Sequence, residues 1–482
     1  MAHGMSYKRS RFTIRTSDRR VFRRCLRKWD YISSLRKNLT KQGTEQNINF
    51  WFGSAIHFAM EDYHGYNRYG DPRRAFYAYY KSFNPNDLPM EAESHYGLGI
   101  SMLTYYLTWY ARHNELTQFT TIWLDEHKQV VPPHTAGATP CVEQSFMVPL
   151  NVYAITDVQT DTIYAQYIPH SEGDPNAYGK LGYLIYAGSG EYIPQEDNSL
   201  AERMCYYWLD AQQRAHEVEL IPMFYHGTID KMVIDKFGRW WLVDYKTAKG
   251  ADTNKLDTDD QIGAYIWAAA ILFDRPIYGF IYLQLTKDAI QEPRRLKSGE
   301  LSVDKRQKTT YSAYKAALIE DYGSVINAPS KHVQYLNELA CAETPEGDRF
   351  IRWDFIKRND AQLLSTARCI YAELSMMLNP QLVCFPNPTR DCSWDCPVRE
   401  ACIAQDREET DTLEIFFKDW EERPRTENGN TDPWKVNLPD PEMVKALPLE
   451  DILESTEELK LEFEEERSDN GFKFLYEYEE KL

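Results

Sequence analysis

Hydrophobic positions recur every three or four residues in some stretches of the chain and every second residue in others. Residues 19–37 set Phe22, Cys25, Leu26, Trp29 and Ile32 at helical spacing among Arg and Lys, which predicts a basic amphipathic helix. Helices are also expected over 52–66, over 94–114 with Leu103, Tyr106, Leu107 and Tyr110 on one side, and over 201–214, 258–273, 310–326 and 359–378. Between about 120 and 195 the pattern changes to short alternating runs broken by Pro, Gly and Asp, as in 142–154, and reads as strands and loops. The clearest strand signal is a hairpin. Residues 227–235 alternate, Lys236-Phe237-Gly238 supply a turn, and 240–245 resume the alternation. Strands follow at 278–286 and 350–356. Paired strands, a crossover helix and further strands with flanking helices predict a mixed α/β core. No repeat of solenoid or propeller period is present.

The chain of 482 residues has room for about three domains, or for one large domain with insertions. A hydrophobic fraction of 43% with 27% charged residues excludes wholesale disorder. The longest apolar run, 262–273, is too short to cross a membrane. The first thirty residues hold no apolar stretch of the kind that marks a secretory signal. Nine cysteines are too sparse for a disulfide scaffold, so a cytoplasmic setting with thiols reduced or metal-bound is expected. The net charge of −18 is unevenly spread: residues 405–482 carry 25 acidic and 10 basic residues, a net of −15. Residues 1–41 hold 13 Lys and Arg against Asp18 and Asp30, a net of +11. A basic arm, a near-neutral body and an acidic tail point to a polyanion near one end and a solvated or partner-binding segment at the other. Two solvated surfaces are the plain alternative.

The hairpin carries the first candidate chemistry. Position 237 lies midway between Asp230 and Asp244, so a regular hairpin sets these carboxylates opposite one another, Cβ atoms about 4.5–5.5 Å apart. Alternation puts Lys246 on the same face and Tyr245 on the other. Paired carboxylates suit a hard cation such as Mg²⁺ or Mn²⁺, and a lysine beside them can orient or deprotonate water and offset phosphate charge. An exposed ion pair on a surface hairpin is the alternative. Downstream, Gln261 and Tyr265 share a helix face. Upstream, Gly53, His57 and Glu61 stand at four-residue steps on one helix, where a core histidine beside a solvated glutamate is the competing account.

Taken in order, Gly53–His57–Glu61, Gly227–Asp230, Asp244–Lys246 and Gln261–Tyr265 resemble the RecB-like branch of the PD-(D/E)XK nuclease superfamily. The resemblance implies a restriction-endonuclease-like mixed sheet flanked by helices. It implies His57, Asp230 and Asp244 as metal ligands and Lys246 as the catalytic lysine. Gln261 and Tyr265 would place DNA, and Glu61 is a weaker member of the set. The distance from His57 to Asp230 is long for the family. The chain is therefore read as a basic arm with the first nuclease helices (1–63), an insertion, helical then β-rich (64–215), a nuclease core (216–405) and an acidic, partly disordered tail (406–482).

Cys392, Cys396 and Cys402 have the short spacings of metal-binding thiolates and need a fourth ligand. Cys25, in the basic helix, is the candidate. The same family often places one cysteine in such a helix and three near the nuclease C-terminus around a [4Fe–4S] cluster, as the iron–sulfur CRISPR-adaptation exonucleases, AddB-type subunits and phage-encoded relatives do. Zinc or incidental thiols are the alternatives. Cys141, Cys205, Cys341, Cys369 and Cys384 follow no ligand spacing and are expected to be buried. The expectation is a metal-dependent DNA exonuclease on single strands or duplex ends that leaves a 5′-phosphate. Its basic arm would track the DNA backbone, its insertion or tail could bind a protein partner, and its setting would be recombination, CRISPR adaptation or repair. A non-cleaving DNA-binding or assembly subunit with the same fold is the rival. No Walker A, His-Glu-x-x-His or Gly-x-Ser-x-Gly motif competes with this reading.

Overall fold

The computed structural model describes residues 12–41, 47–160, 163–167, 182–194, 200–210, 212, 214–250, 255–344, 347–394, 396–422 and 438–454. The chain opens with β1 (Phe12–Ile14), α1 (Thr16–Arg24), α2 (Leu26–Ile32) and β2 (Leu39–Lys41), followed by α3 (Ile48–His64), α4 (Pro72–Lys81) and α5 (Ala92–Thr117). Short strands β3 (Thr120–Thr121), β4 (Trp123–Leu124), β5 (Val130–Val131) and β6 (Thr139–Pro140) lead into β7 (Val142–Asp157), β8 (Ile163–Tyr167), β9 (Gly182–Pro194), β10 (Leu200–Asp210) and β11 (Ala215–Ile234). Next come β12 (Trp240–Ala248), α6 (Asp260–Phe273), β13 (Gly279–Thr286), α7 (Tyr311–Tyr322), α8 (Ser330–Ala342), β14 (Ile351–Ile356) and α9 (Asp360–Met377). The chain closes with α10 (Arg399–Asp406), α11 (Thr410–Phe417), β15 (Trp420–Glu422), α12 (Pro441–Ala446) and α13 (Leu449–Glu454).

Ten of these strands build one mixed sheet in the order β14-β13-β12-β11-β10-β9, with β1, β3 and β7 also paired to β11 and β8 paired to β7. β12 and β13 run parallel, joined by the crossover helix α6. This is the restriction-endonuclease-like α/β fold expected. Strand alternation gives the sheet two apolar faces. Trp241, Val243 and Tyr245 pack with Trp51, Phe58, Tyr79 and Trp109 from α3–α5. Trp240 and Leu242 face the other way, onto Phe22, Trp29, Ile266, Ile370 and Leu374 from α1, α2, α6 and α9. The segment 64–215 thus contributes strands to the same sheet as the hairpin. No helix among the described residues is long and apolar enough to cross a membrane.

Several sequence expectations are corrected. The helix expected over 19–37 breaks at Cys25, whose extended backbone (φ −161°, ψ 112°) ends α1 while its Sγ accepts the Lys28 N–H and caps α2. Residues 200–210 form a strand rather than a helix, because antiparallel pairing with β9 and β11 overrides the helix-forming Ala, Glu, Arg and Met of the run. Cys341 and Cys369 are exposed, on outward faces of α8 and α9, and Cys384 is half-buried; only Cys141 is buried as expected, and the side chain of Cys205 lies outside the described residues.

The charged ends also differ from the expectation. Five arginines of the arm pair with acids of the body: Arg19 with Asp260 and Glu373, Arg20 with Asp259, Arg23 with Asp260 and Glu373, Arg24 with Asp391, and Arg27 with Asp406. These pairs tie α1 and α2 to the body. In the tail, α12 and α13 dock on the helical face, with Val444 and Ile452 in its core and the Tyr96 hydroxyl donating to the Ile452 carbonyl. Residues 423–437 and 455–482, where disorder was expected, lie outside the described residues.

Candidate active site

The site forms where the sheet forks. β11 pairs antiparallel with β12 from Ile234↔Trp240 to Lys231↔Val243, and one further step in this register would set Asp230 opposite Asp244. There β12 parts from β11, which continues beside β1 at Met223–Tyr225. At the fork the Tyr245 N–H donates to the Asp230 carboxylate, at 2.7 Å from Oδ2, so a side chain takes the place of a ladder carbonyl. Asp244 and Lys246 share a face, as alternation requires. Lys246 Nζ donates to Asp244 Oδ1 at 2.8 Å, and Gln261 Nε2, from the first turn of α6, donates to the same oxygen at 3.2 Å. Tyr245 points to the opposite core.

α3 brings in the histidine. His57 Nε2 lies 2.9 Å from the Tyr245 carbonyl, which can only accept, so this nitrogen carries a proton. In the neutral imidazole the lone pair is then on Nδ1. That atom faces Asp230 Oδ2 at 3.5 Å and Glu143 Oε1 at 3.4 Å. A backbone carbonyl fixing one nitrogen and leaving the other toward carboxylates is the usual arrangement of a metal-binding histidine. His57, Glu143 and Asp230 each offer a ligand atom within 4.8 Å of the others.

Glu143 was not found in the sequence. It stands at the start of β7, next to the Gln144↔Ile229 pair, so β7 pairing delivers it to the neighbourhood of Asp230. Its φ of +45° is left-handed, a conformation that costs a non-glycine residue about 1–2 kcal/mol. The strain accompanies a carboxylate turned to His57. The only sequence signal was an acidic residue opening an alternating apolar run.

The electrostatics fit a cation. Burial raises Asp230, with the Glu143 charge adding to it against the pull of His57. Burial likewise raises Asp244 to about 6; Lys246 opposes this and Asp230 reinforces it. Burial disfavours a charged His57, but Asp230 and Glu143 outweigh it and lift the imidazole to about 9. Two crowded carboxylates, Asp230 and Glu143, therefore hold a proton on His57 that a divalent ion would replace. Burial also opposes charge on Lys246, and Asp244 and Asp230 overcome it, so the ammonium stays protonated well above neutral pH.

The remaining expected residues surround this centre. Glu61 lines a pocket of about 290 Å³ together with Asn49, Phe50, Gly53, Ser54, His57, Phe58 and Glu143. Tyr265 packs edge-on against Phe146, ring centroids 5.4 Å apart. Gly227 makes this packing possible, since a Cβ there would sit 2.5 Å from Phe146 Cζ and 3.2 Å from Tyr265 Cε1.

The segments that carry Cys25 and Cys402 meet at the other end of α1. Arg27 Nη1 lies 3.6 Å from Cys402 Sγ and 3.3 Å from its carbonyl. Burial raises the Cys402 thiol against the pull of Arg27. Tyr31 packs with Val398 and Ala401 beside Cys396. The first helices therefore lie against the cysteine segment although more than 360 residues separate them in sequence.

A comparison with curated proteins finds no match. Residues 174–403, which hold Asp230, Asp244, Lys246, Gln261, Tyr265 and the three C-terminal cysteines, match the family model of the PD-(D/E)XK nuclease superfamily, and this likeness supports a metal-dependent nuclease.

Proposed function

We propose that this protein is a metal-dependent DNA exonuclease acting on single strands or DNA ends. The observation that carries the reading is the convergence, at the fork of the sheet, of His57, Glu143 and Asp230 with the Asp244–Lys246–Gln261 cluster. His57 and the carboxylates would hold Mg²⁺ or Mn²⁺, which supplies a polarised phosphate and a water of lowered pKa. The imidazole nitrogen tilts preference toward Mn²⁺. Lys246, kept charged by Asp244 and Asp230, is suited to orienting the attacking water and stabilising negative charge on the phosphorane, and poorly suited to removing a proton. Gln261 steadies Asp244, and Tyr245 steadies both Asp230 through its N–H and His57 through its carbonyl. In-line attack leaves a 5′-phosphate and a 3′-hydroxyl. The small pocket beside His57 favours one strand over an intact duplex.

Cys25, Cys392, Cys396 and Cys402 would hold a structural [4Fe–4S] cluster. The packing of the Cys25 segment on α10, with Arg27 donating to Cys402, supports the fit. Digestion of 5′- and 3′-labelled single- and double-stranded DNA with Mn²⁺, Mg²⁺ or EDTA tests the activity. Processive shortening from one end with metal only is expected. Binding without cleavage would favour a non-cleaving subunit.

A further inference from the structure

We infer that Phe50 is a base-stacking platform that seats an unstacked nucleobase beside the scissile phosphate and so makes the enzyme selective for single-stranded DNA. This deepens, and rests on, the nuclease reading. Helix α3 carries four large aromatics near its start and middle. Trp51, Phe52 and Phe58 are at most 2% exposed, whereas Phe50 is 76% exposed. A lone exposed aromatic is ordinary on a protein surface. The position of this one is what carries the argument. Phe50 lies three, four, seven and eleven residues before Gly53, Ser54, His57 and Glu61, so it belongs to the same helical stripe, and all five line the same pocket with Glu143. Seven residues of helix place it roughly 10 Å along the axis from His57.

Positive charge reaches the start of the same helix, on its Asn49–Phe52 side. Lys287 Nζ donates to Asn49 Oδ1 at 3.0 Å. Lys249 stands nearby, because the parallel ladder pairs Ala248 with Thr286 and the two lysines leave adjacent strands at the same level. Each of these lysines follows the end of a parallel strand, β12 or β13, and the Lys287 N–H donates to the Ala248 carbonyl. An exposed aromatic in a pocket that ends on metal-type ligands, with an ammonium group held by the adjacent Asn49 of that pocket, matches the two requirements of sequence-tolerant single-strand binding: a stacking surface for the base and cations for the backbone. In a duplex the bases remain stacked on one another, so the phenyl ring gains nothing from them.

The test uses the full-length protein in EDTA, where binding is read without cleavage. Fluorescein-labelled and 2-aminopurine-containing oligonucleotides, single-stranded and blunt duplex, serve as probes. Phe50→Ala should weaken single-strand affinity by about 5- to 150-fold, leave duplex affinity within twofold, and abolish quenching of 2-aminopurine at the stacking position. Phe50→Trp should restore both. Because the ring is exposed, neither variant should alter the melting temperature. Single-strand binding by Phe50→Ala within twofold of the parent would overturn the assignment. So would an equal loss on duplex, failure of Phe50→Trp to restore binding, or a parent that binds no single strand. Cleavage is scored separately: a parent that stacks 2-aminopurine through Phe50 yet digests nothing with Mn²⁺ would refute the nuclease reading alone.

Discussion

Replacing Asp235 by Asn tests whether the turn of the β11–β12 hairpin secures the register on which the site depends. One carboxylate there accepts four hydrogen bonds: from the Phe237 and Arg239 N–H groups at 2.9 and 3.0 Å, Arg239 Nε at 2.6 Å and the Trp241 indole at 3.0 Å. Burial opposes its charge, but the indole, the backbone N–H groups and the guanidinium prevail and hold it at about 2, below its ordinary 3.8. The charge therefore stabilises the folded chain by about 2 kcal/mol at most, and nearer 1 where solvent screens this surface turn. Asn keeps one acceptor but turns two donors toward Arg239 and Trp241, so a loss of about 2 kcal/mol is expected at pH 7. Since the folded value is depressed, the stabilisation is present above the unfolded pKa and is lost as pH falls through the folded one; roughly half should be gone at about pH 3. Urea unfolding of parent and variant at pH 7, 4.5 and 3, followed by tryptophan fluorescence, reads the gap. It should narrow on acidification. Equal midpoints at pH 7, or a gap that widens toward pH 3, would refute the argument.

Other outcomes follow from the site. Lys246→Ala should abolish cleavage while DNA affinity in EDTA stays within a few-fold, and digestion at the parent rate would put the chemistry elsewhere. Mn²⁺ must displace the proton on His57, so calorimetric affinity should rise with pH between 6 and 9, by up to about tenfold per unit; Glu143→Gln should flatten this slope and weaken binding, and a pH-independent parent would contradict the protonated imidazole. Gly227→Ala should cost about 1–3 kcal/mol by driving a Cβ into the Phe146 ring, and an unchanged melting temperature would show that the ring yields freely. Anaerobic preparations should be brown with about four irons per chain, and Cys25→Ser should lower iron content and expose the N-terminal helices to protease; stoichiometric zinc would change the metal but keep the staple, and no metal in the parent would remove both.

Much of the site was legible because it is local. Four-residue steps put His57 and Glu61 on one face of α3, and two-residue steps put Asp244 and Lys246 on one face of β12; neither needs a distant contact. The hairpin register was legible for the same reason, its turn lying midway between Asp230 and Asp244. Glu143 was not legible, because it reaches His57 only through the pairing of β7 with β11, across 86 residues from the histidine, and no spacing rule encodes that approach. The strand at 200–210 was hidden in the same way: its composition suits a helix, and only the neighbouring strands decide otherwise.

The charge asymmetry is a different case, a signal that a sum cannot resolve into its local partners. Summing the arm gives +11 and invites a polyanion. The sum cannot reveal that Asp259, Asp260, Glu373, Asp391 and Asp406 stand opposite those arginines in the fold. Arg19 makes the point: its side chain is fully buried between Asp260 and Glu373, a setting in which an unpaired guanidinium would cost several kcal/mol. Such an arginine cannot also serve a phosphate. On the proposed function, a cation near the site that is held by an amide rather than a carboxylate is Lys287. On the proposed function, backbone contact would fall at the rim of the pocket that Asn49 and His57 line, where Asn49 holds Lys287.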